Sequence, residues 1–394
     1  MNKIKMSDVS EQIRGVSYKP EDVFDKPCDE AIGLLRANNI NDGKINFDDL
    51  VYVNKGKVTK NQILKRGDIL ICASSGSKNL VGKAAQVESN CDYCFGAFCK
   101  VVRPKSINTR FLGMYFQSEL YRNYISSVSQ GVNINNIKNE HIDSIEIKGY
   151  SDYEQQEIAD LLNKVRLLID YRRKQLKGMD DLIKSRFVEL FGDTYLNDNG
   201  YLEVKLGTVA DIVSGITKGR KTSETQLKEV PYMAVSNVKD GFIDWTTVKT
   251  IAATQSEIEM YRLQTDDVLM TEGGDPDKVG RGAVINNPPT DCIHQNHIFR
   301  VRFDETRVHP KFFEYYLQGA RSKSYFLGCA KQTTGIASIN MTQLKNMPVL
   351  LPPIKKQNTF IDFVNQLDKS KDAIKKSLDE TQLLFDSLMQ QYFG

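Results

Sequence analysis

Residues that could bind phosphate or cleave a phosphodiester occur in two short stretches. Gly76 and Gly82-Lys83-Ala84 suggest a phosphate-binding loop, but five residues separate the glycines where four are needed, and Ala84 lacks the hydroxyl that would contact magnesium. Glu146-Ile147-Lys148 has the last two members of a nuclease triad, yet no Pro-Asp precedes it at a useful spacing. We therefore predict no nucleotide hydrolysis by this chain and a strand edge at residues 146–148.

A third stretch has residues suited to methyl transfer. Asn287-Pro288-Pro289-Thr290 resembles the Asn-Pro-Pro-aromatic motif that holds a flipped adenine, but Thr290 stands where the stacking ring is needed. The sequence also lacks a convincing G-x-G-x-x-G loop for a nucleotide-like cofactor. We therefore expect a turn at the two prolines.

Cysteine and histidine side chains are the candidate metal ligands. Cys91, Cys94 and Cys99 offer sulfur atoms to zinc, but a single C-x-x-C is a weak pattern and the second half of the chain has no counterpart. His294 and His297 lie near an apparent strand, where a structural histidine is commoner than a ligand. Since no general-base arrangement emerges, we predict no catalytic residue, metal or cofactor in this chain.

Composition places the chain among ordinary soluble globular proteins. It has 394 residues, enough for two domains, with 40% hydrophobic and 26% charged residues. No apolar run approaches the length of a membrane helix, and the start lacks a signal peptide, so we predict a cytoplasmic protein with reduced cysteines and no membrane contact. The formal charge of +3 is low for a protein that binds DNA alone, so a basic surface is local or is supplied by partners.

An internal duplication sets the organisation of the chain. Residues 152–192 align without gaps to residues 354–394, with ten of 41 positions identical, among them Gln155/Gln357 and Phe191/Phe393. The preceding stretches correspond more weakly, for example Val81-Gly82-Lys83 with Val279-Gly280-Arg281. The predicted order is therefore globule, helix, globule, helix.

The repeated segments have a helical pattern. In the first, apolar residues recur every three or four positions from Ile158 to Leu190, and eight acidic and eight basic residues surround this stripe. Such a stripe needs a partner helix, and its duplicate is the nearest candidate. We expect an antiparallel coiled coil, each helix on the order of 60 Å long. The alternative is two surface helices, each lying on its own globule.

The globular parts have short apolar or alternating runs separated by turns, which indicates a mixed β structure with few helices. Examples are Asp68 to Cys72, Phe98 to Val102, Val268 to Thr271 and Ile298 to Val301. The predicted fold class is α+β, with two mixed α/β domains separated by two long antiparallel coiled-coil helices and related by a pseudo-two-fold. The predicted boundaries are 1–150, 151–192, 193–352 and 353–394.

Three runs in the second half carry a resemblance to a known family. They are Val230 to Trp245 (VPYMAVSNVKDGFIDW), Asp266 to Ile285 (DDVLMTEGGDPDKVGRGAVI) and Thr333 to Pro353 (TTGIASINMTQLKNMPVLLPP). In this order they resemble a target-recognition domain entering its spacer helix in the specificity subunit of type I restriction-modification systems. The first half keeps the order with different residues, as in Ser74-Ser75-Gly76-Ser77 against Glu272-Gly273-Gly274-Asp275.

The resemblance implies a subunit that reads double-stranded DNA and performs no chemistry itself. It implies two partner methyltransferase subunits, which use S-adenosylmethionine for N6-adenine methylation. For cleavage, it implies two motor-nuclease restriction subunits, which use ATP and magnesium. Residues 1–150 and 193–352 would be the two target-recognition domains.

Base reading needs polar side chains on loops that enter a groove, while phosphate contacts set position. Both halves offer such loops, although the same residue types are also what turns require. In the first half the candidates are Arg36, Asn38, Asn39, Ser75, Ser77, Lys78, Asn79, Lys83, Gln130, Asn133 and Asn135. In the second they are Lys218, Arg220, Lys221, Ser236, Asn237, Lys278, Arg281, Gln332, Thr333 and Asn340.

Two different readers on a stiff spacer predict a bipartite, asymmetric target whose halves lie about one duplex turn apart. The helix length would set the gap. Two alternatives stay open at this point. One is a self-contained adenine methyltransferase or nuclease, and the other is a coiled-coil scaffold that binds proteins and not DNA.

Overall fold

The chain divides into two units that do not follow the chain order. In a computed structural model, which describes residues 3–77, 79–129, 135–221, 226–275, 278–333 and 336–394, the first unit is Met1–Lys174 with Lys375–Gly394. The second unit is Gln175–Ile374. Each long helix therefore contributes one part to each unit.

The first unit is built on two four-stranded sheets. One is antiparallel, and its strands in spatial order are Ala84–Gln86, Ile69–Cys72, Cys99–Pro104 and Ser10–Arg14. The other has, in order, Tyr93–Phe95, Ala31–Leu35, Val51–Asn54 and Val23–Phe24, of which the first two are parallel. Short pairs join Lys3–Lys5 to Glu146–Lys148, Ile40–Asn41 to Lys44–Ile45, and Ser74–Ser75 to Asn135–Asn136. The short helices are Met6–Val9, Thr109–Phe116, Glu119–Val128 and Asn139–Asp143.

The second unit repeats this plan. Its antiparallel sheet has the strands Gly282–Val284, Val268–Thr271, Ile298–Phe303 and Ala210–Ser214. Its second sheet has Ile293–His294 parallel to Lys228–Met233, which pairs with Lys249–Ala253. The smaller groups are Leu202–Lys205 with Pro348–Leu351, and Gly273–Gly274 with Ile336–Ser338 and Lys331–Thr333. The short helices are Gln255–Tyr261, Pro310–Gln318, Ala320–Cys329 and Met341–Lys345.

The duplication extends to buried polar side chains. Nε and Nη2 of Arg103 donate to the Asp68 carboxylate at 2.8 and 2.7 Å, and Arg302 repeats this fork on Asp267 at 2.7 and 2.8 Å. Both carboxylates are buried, and these charge-assisted hydrogen bonds raise the pKa of each arginine. The weak sequence correspondence between the globules therefore reflects one fold used twice.

The first long helix, Asp152–Phe191, and the second, Ile354–Phe393, have sequence signals at their ends. Ser151 and Glu154 form a capping box, since Glu154 accepts from Ser151 N (2.8 Å) and Ser151 Oγ accepts from Glu154 N (3.3 Å). Pro353 precedes the second helix, where a missing N–H is tolerated. Gly192 has φ of 69°, the left-handed conformation that ends a helix.

The two long helices run antiparallel within each unit. In the first unit, Arg172 donates to Ser377 O (2.8 Å), while Ile158 lies with Tyr392 at the far end. In the second unit, Asp180 forms an ion pair with Lys371 (2.6 Å), and the Phe187 and Phe360 rings lie 5.3 Å apart. The predicted helix pairing is confirmed, and the alternative of two separate surface helices is wrong.

One repeated glutamine fastens the start of each long helix to its globule. Gln155 Oε1 accepts from Asn108 N (2.9 Å) and its Nε2 donates to Tyr150 O (2.9 Å). Gln357 accepts from His309 N (2.8 Å) and donates to Pro352 O (2.8 Å). Both side chains are buried, so their identity in the two copies is a requirement of packing.

The cysteine and histidine candidates take structural positions. Cys94 and Cys99 are buried in two different hydrophobic clusters, and burial raises the pKa of each thiol to about 12. His294 is fully buried, with its ring nitrogens 3.2 and 3.3 Å from Tyr261 O and Val213 O. The strand edge predicted at residues 146–148 is confirmed. Among the described residues, no helix has the length and apolar character needed to cross a bilayer.

Candidate nucleic-acid interface

Hydrogen bonds bring three loops of the first unit together around one turn. The turn is Gly96–Phe98, in which Gly96 N donates to Leu35 O (2.9 Å) and Phe98 O accepts from Ala73 N and Ser74 N (2.9 and 3.0 Å). The third loop joins because Ser74–Ser75 pairs with Asn135–Asn136. We call residues 36–41, 73–77 with 79–83, 96–98 and 135–137 the first loop cluster.

The second unit forms a corresponding second loop cluster, residues 234–241, 271–275 with 278–281, 295–297, and 331–333 with 336–338. Gln295 N donates to Met233 O (3.0 Å), and His297 O accepts from Glu272 N (3.0 Å). Gly273–Gly274 pairs with the strand Ile336–Ser338. The equivalent turn therefore holds the equivalent loops.

A glycine packed beneath each turn limits its movement. A Cβ on Gly15 would lie 2.0 Å from Gly96 O, and one on Gly215 would lie 2.0 Å from His294 O. Only glycine permits backbone approach this close. The turn is thereby fixed against the sheet, and the side chains at its tip have a defined position.

Many predicted DNA-binding residues lie at the protein surface, most of them in these clusters and Lys218, Arg220, Lys221 and Asn340 outside them. Exposed are Asn38, Ser77, Asn79, Lys218, Lys221, Ser236, Lys278 and Asn340. Partly exposed are Arg36, Ser75, Lys83, Arg220 and Arg281. Lys78, Gln130 and Asn133 lie outside the described residues, and for Asn135, Gln332 and Thr333 only the backbone, in strands, is described.

Two of the predicted residues, Asn39 and Asn237, are buried and hydrogen-bonded within their own loops. Asn39 is 1% and Asn237 0% exposed. Asn39 Oδ1 accepts from Arg36 N (2.8 Å), and its Nδ2 donates to Asn46 O and Asp49 O (2.9 and 3.2 Å). In the same way, Asn237 Oδ1 accepts from Ala234 N (2.9 Å), and its Nδ2 donates to Asp244 O (2.9 Å). The hydrogen bonds of these two carboxamides close their loops. This structural role argues against a contact with a base.

Other predicted residues already have protein partners. Arg36 and Asn38 both donate to the Asp49 carboxylate (2.9 and 2.6 Å), which keeps them close together on the surface. Arg220 forms a fork on Glu257, and this hydrogen bonding raises the pKa of Arg220 and lowers that of Glu257. Arg220 therefore acts as a brace within the second unit.

Two more predicted residues are engaged within their own loops. Lys278 forms an ion pair with Asp275, and Asn340 Oδ1 accepts from Gln343 N (2.9 Å) as the N-cap of Met341–Lys345. An N-cap side chain that already accepts a backbone hydrogen bond has less capacity for a nucleobase. Asn340 therefore acts as a helix cap.

The side chains at the tips of the two turns were not among the predicted DNA-binding residues. Phe98, the first residue of the apolar run Phe98 to Val102, is 71% exposed, because the strand begins at Cys99. At the equivalent place, His297 Nδ1 donates to Glu272 (2.5 Å), and both side chains reach solvent. An exposed phenylalanine between polar loops was detectable only once the strand limits were known.

Comparisons with known proteins agree on one protein family. A family model described as type I restriction modification DNA specificity domain matches residues 2–178 and 199–382. The type I restriction enzyme EcoKI specificity subunit of Escherichia coli (strain K12) is 30% identical over 404 residues, covering 98% of this chain and 86% of that protein. The StySPI specificity subunit of Salmonella potsdam is 31% identical over 400 residues, with the same two shares covered.

Solved structures share the fold. The S subunit of a type I restriction-modification system from M. genitalium matches with a TM-score of 0.55 and 14% identity, covering 100% of this chain and 96% of that one. A chain from a structure concerned with complex assembly and conformational transition of the type I R-M system matches with a TM-score of 0.59 and 16% identity, covering 99% and 97%.

The fold and the two loop clusters define a duplicated protein whose globular units share two long antiparallel helices. The chain belongs to the family of type I restriction-modification specificity subunits. The predicted family and fold class are confirmed. Neither alternative, a self-contained enzyme or a scaffold that ignores DNA, finds support among the relatives.

Proposed function

We propose that this chain selects the DNA sequence on which a type I restriction-modification complex acts, each loop cluster reading one half of a bipartite, asymmetric site. The observation that carries this proposal is the pair of equivalent turns with different tips, Phe98 in one unit and His297 with Glu272 in the other. A common framework with different side chains is what two readers of different sequences need.

The chemistry of the two tips supports different readings. In the major groove, an apolar ring can contact the thymine methyl, whereas a carboxylate accepts from cytosine N4. Ser77 and Asn79 lie with Phe98 in the first cluster, and Arg281, suited to guanine, lies in the second. The two halves of the target would accordingly differ in sequence.

We propose that the long helices set the distance between the two half-sites. Arg172 donates to Ser377 O (2.8 Å) in the first unit, and Asp180 pairs with Lys371 (2.6 Å) in the second, so the two helices are paired within each unit. A paired helix resists bending more than a single one, so its length is a suitable ruler.

The remaining roles fall to partner proteins. The chain would perform no catalysis and hold no cofactor, in keeping with relatives that are named specificity subunits. Two methyltransferase subunits with S-adenosylmethionine would modify adenines, and two restriction subunits with ATP and magnesium would cleave. The complex would act in the cytoplasm.

Methylation mapping tests the reading function. Co-expression of the chain with its methyltransferase partner in a host without other adenine methylation should give N6-methyladenine in one bipartite, asymmetric sequence. The methyltransferase without this chain is the control and should give none. Methylation with no sequence preference would contradict the proposal and favour a scaffold.

A matched deletion tests the ruler. Residues 172–178 and 374–380 occupy equivalent positions in the repeat and include the contacting pair Arg172 and Ser377. Removing both shortens each helix by about 10 Å, or roughly three base pairs, at about 1.5 Å per residue and 3.4 Å per base pair. The mapped gap should shrink accordingly, with both half-sites unchanged, and an unaltered gap would refute the ruler.

A further inference from the structure

The first unit has a basic cleft between its globule and the two long helices. The cleft has a volume of about 430 Å³, and five basic side chains from four parts of the unit line it. They are Lys44, Lys83, Arg122, Arg166 and Arg173. The lining carboxylates are Asp42 and Asp170, and Asp170 is paired with Lys44 (2.6 Å), so the lining carries an excess of positive charge.

Arg122 and Arg166 donate to neutral groups, which do not compensate the charge of either guanidinium. Arg122 donates to Asn79 O and Val81 O (3.0 and 2.7 Å). Arg166 donates to Asn163 Oδ1 (3.0 Å), while its Nε is buried without an acceptor among the described residues. A fixed guanidinium without a carboxylate partner is suited to a phosphate oxygen.

The repeat keeps this positive charge only in part, since Arg281 corresponds to Lys83 and Lys375 to Arg173. The repeat places Asp368 at the position equivalent to Arg166. Asp368 is near Lys371 (3.6 Å), which is itself paired with Asp180 (2.6 Å), and Lys323 lies 4.0 Å from Asp240. The same region of the second unit therefore has acids and bases in pairs.

We propose that the cleft of the first unit binds a phosphate of the DNA backbone next to the first half-site. The proposal rests on the proposed reading function. The cleft is continuous with the first loop cluster, since Lys83 belongs to both and Arg122 holds the backbone at Asn79 and Val81. A phosphate bound there fixes the register of the duplex for that loop.

Salt-dependent binding tests the proposal on the complex of the full chain with its methyltransferase partner. The variant is Lys83→Gln with Arg173→Gln, and the matched control is Lys164→Gln with Lys177→Gln, which removes two charges of the same sign outside the cleft. Anisotropy measures affinity for the mapped target and for a random duplex. Thermal unfolding checks that each variant folds, and Arg173→Gln alone is a milder second variant.

The cleft variant should weaken binding to both duplexes by the same factor. Its slope of log K against log salt should become shallower by about 0.9 for each phosphate that is no longer neutralised, while the control keeps the wild-type slope. Equal slopes for variant and control would overturn the proposal, as would weaker binding confined to the mapped target.

Two further outcomes distinguish DNA-phosphate binding in the cleft from binding of a free anion and from the proposed reading function. If inorganic pyrophosphate raises the thermal stability of the wild type but the slopes stay equal, the site takes a free anion and not DNA, and the proposal is overturned. Absence of any sequence preference in the wild-type complex would instead refute the reading function. The salt slopes would still report phosphate binding, because they do not depend on a sequence preference.

Discussion

The ring of Phe393, at the end of the second long helix, lies 4.9 Å from the ring of Phe111 in the first globule. The equivalent pair in the other unit, Phe191 and Phe312, has a ring separation of 4.8 Å. Each globule is therefore completed by the start of the helix that follows it and by the end of the other helix. Separating either helix end from its globule exposes an aromatic core.

Replacement of Phe393 by alanine should destabilise the first unit by about 3 kcal/mol, because a buried ring is removed from an aromatic cluster and the cavity closes incompletely. Hydrogen exchange read by mass spectrometry should show faster exchange in the helix Thr109–Phe116 and not in Pro310–Gln318. Phe191→Ala should give the reverse pattern.

The control for both is Leu383→Ala, at a side chain that is 70% exposed, for which the change should stay within about 0.5 kcal/mol. Faster exchange in both units from either single phenylalanine variant would contradict the assignment of each helix end to one globule.

Asn39→Ala and Asn237→Ala should each lower the free energy of unfolding by about 1–3 kcal/mol, since each leaves buried backbone groups without partners. The recognised sequence should stay the same. Denaturant unfolding and methylation mapping check the two expectations. If a variant has wild-type stability but changes one recognised base, that result would place the asparagine among the base-reading residues.

The sequence was sufficient to predict the duplication and the helix pair, because an apolar stripe that persists over 40 residues is typical of a long helix packed on another helix. It was insufficient for Asn39 and Asn237. Asparagine is typical of both turns and base contacts, and only the loop folding back over the side chain distinguishes them.

The exposed position of Phe98 was not predicted. An aromatic residue at the head of an apolar run predicts burial, but the carbonyl of Phe98 accepts from both Ala73 and Ser74 and turns the chain before the strand begins. The basic cleft was equally hidden, since its cations are dispersed between residues 44 and 173. Such convergence depends on tertiary structure.

Phe98→Ala should change recognition of the first half-site only, and His297→Ala that of the second only. The physical reason is that each side chain occupies the tip of its own turn, with the loops around it held by backbone hydrogen bonds that the substitution leaves in place. The measurement is methylation mapping with single-base resolution. Altered bases in both half-sites from one substitution would show that the tips do not act independently.

A pH dependence is expected from His294. Burial lowers its pKa to about 4, from 6.5, with a further contribution from nearby Arg300. Between these two values the unfolded chain binds a proton that the folded chain does not, so the free energy of unfolding should fall as the pH falls from 6.5 toward 4, by up to about 1.4 kcal/mol per pH unit. Above pH 6.5 this contribution should be constant.

His294→Gln removes the titrating ring, so the stability difference between wild type and variant should shrink from about pH 7 to about pH 5 in urea unfolding. A difference that stays constant over this range would mean that the folded protein accommodates the charged imidazole, whose two N–H groups would then donate to the carbonyls of Tyr261 and Val213.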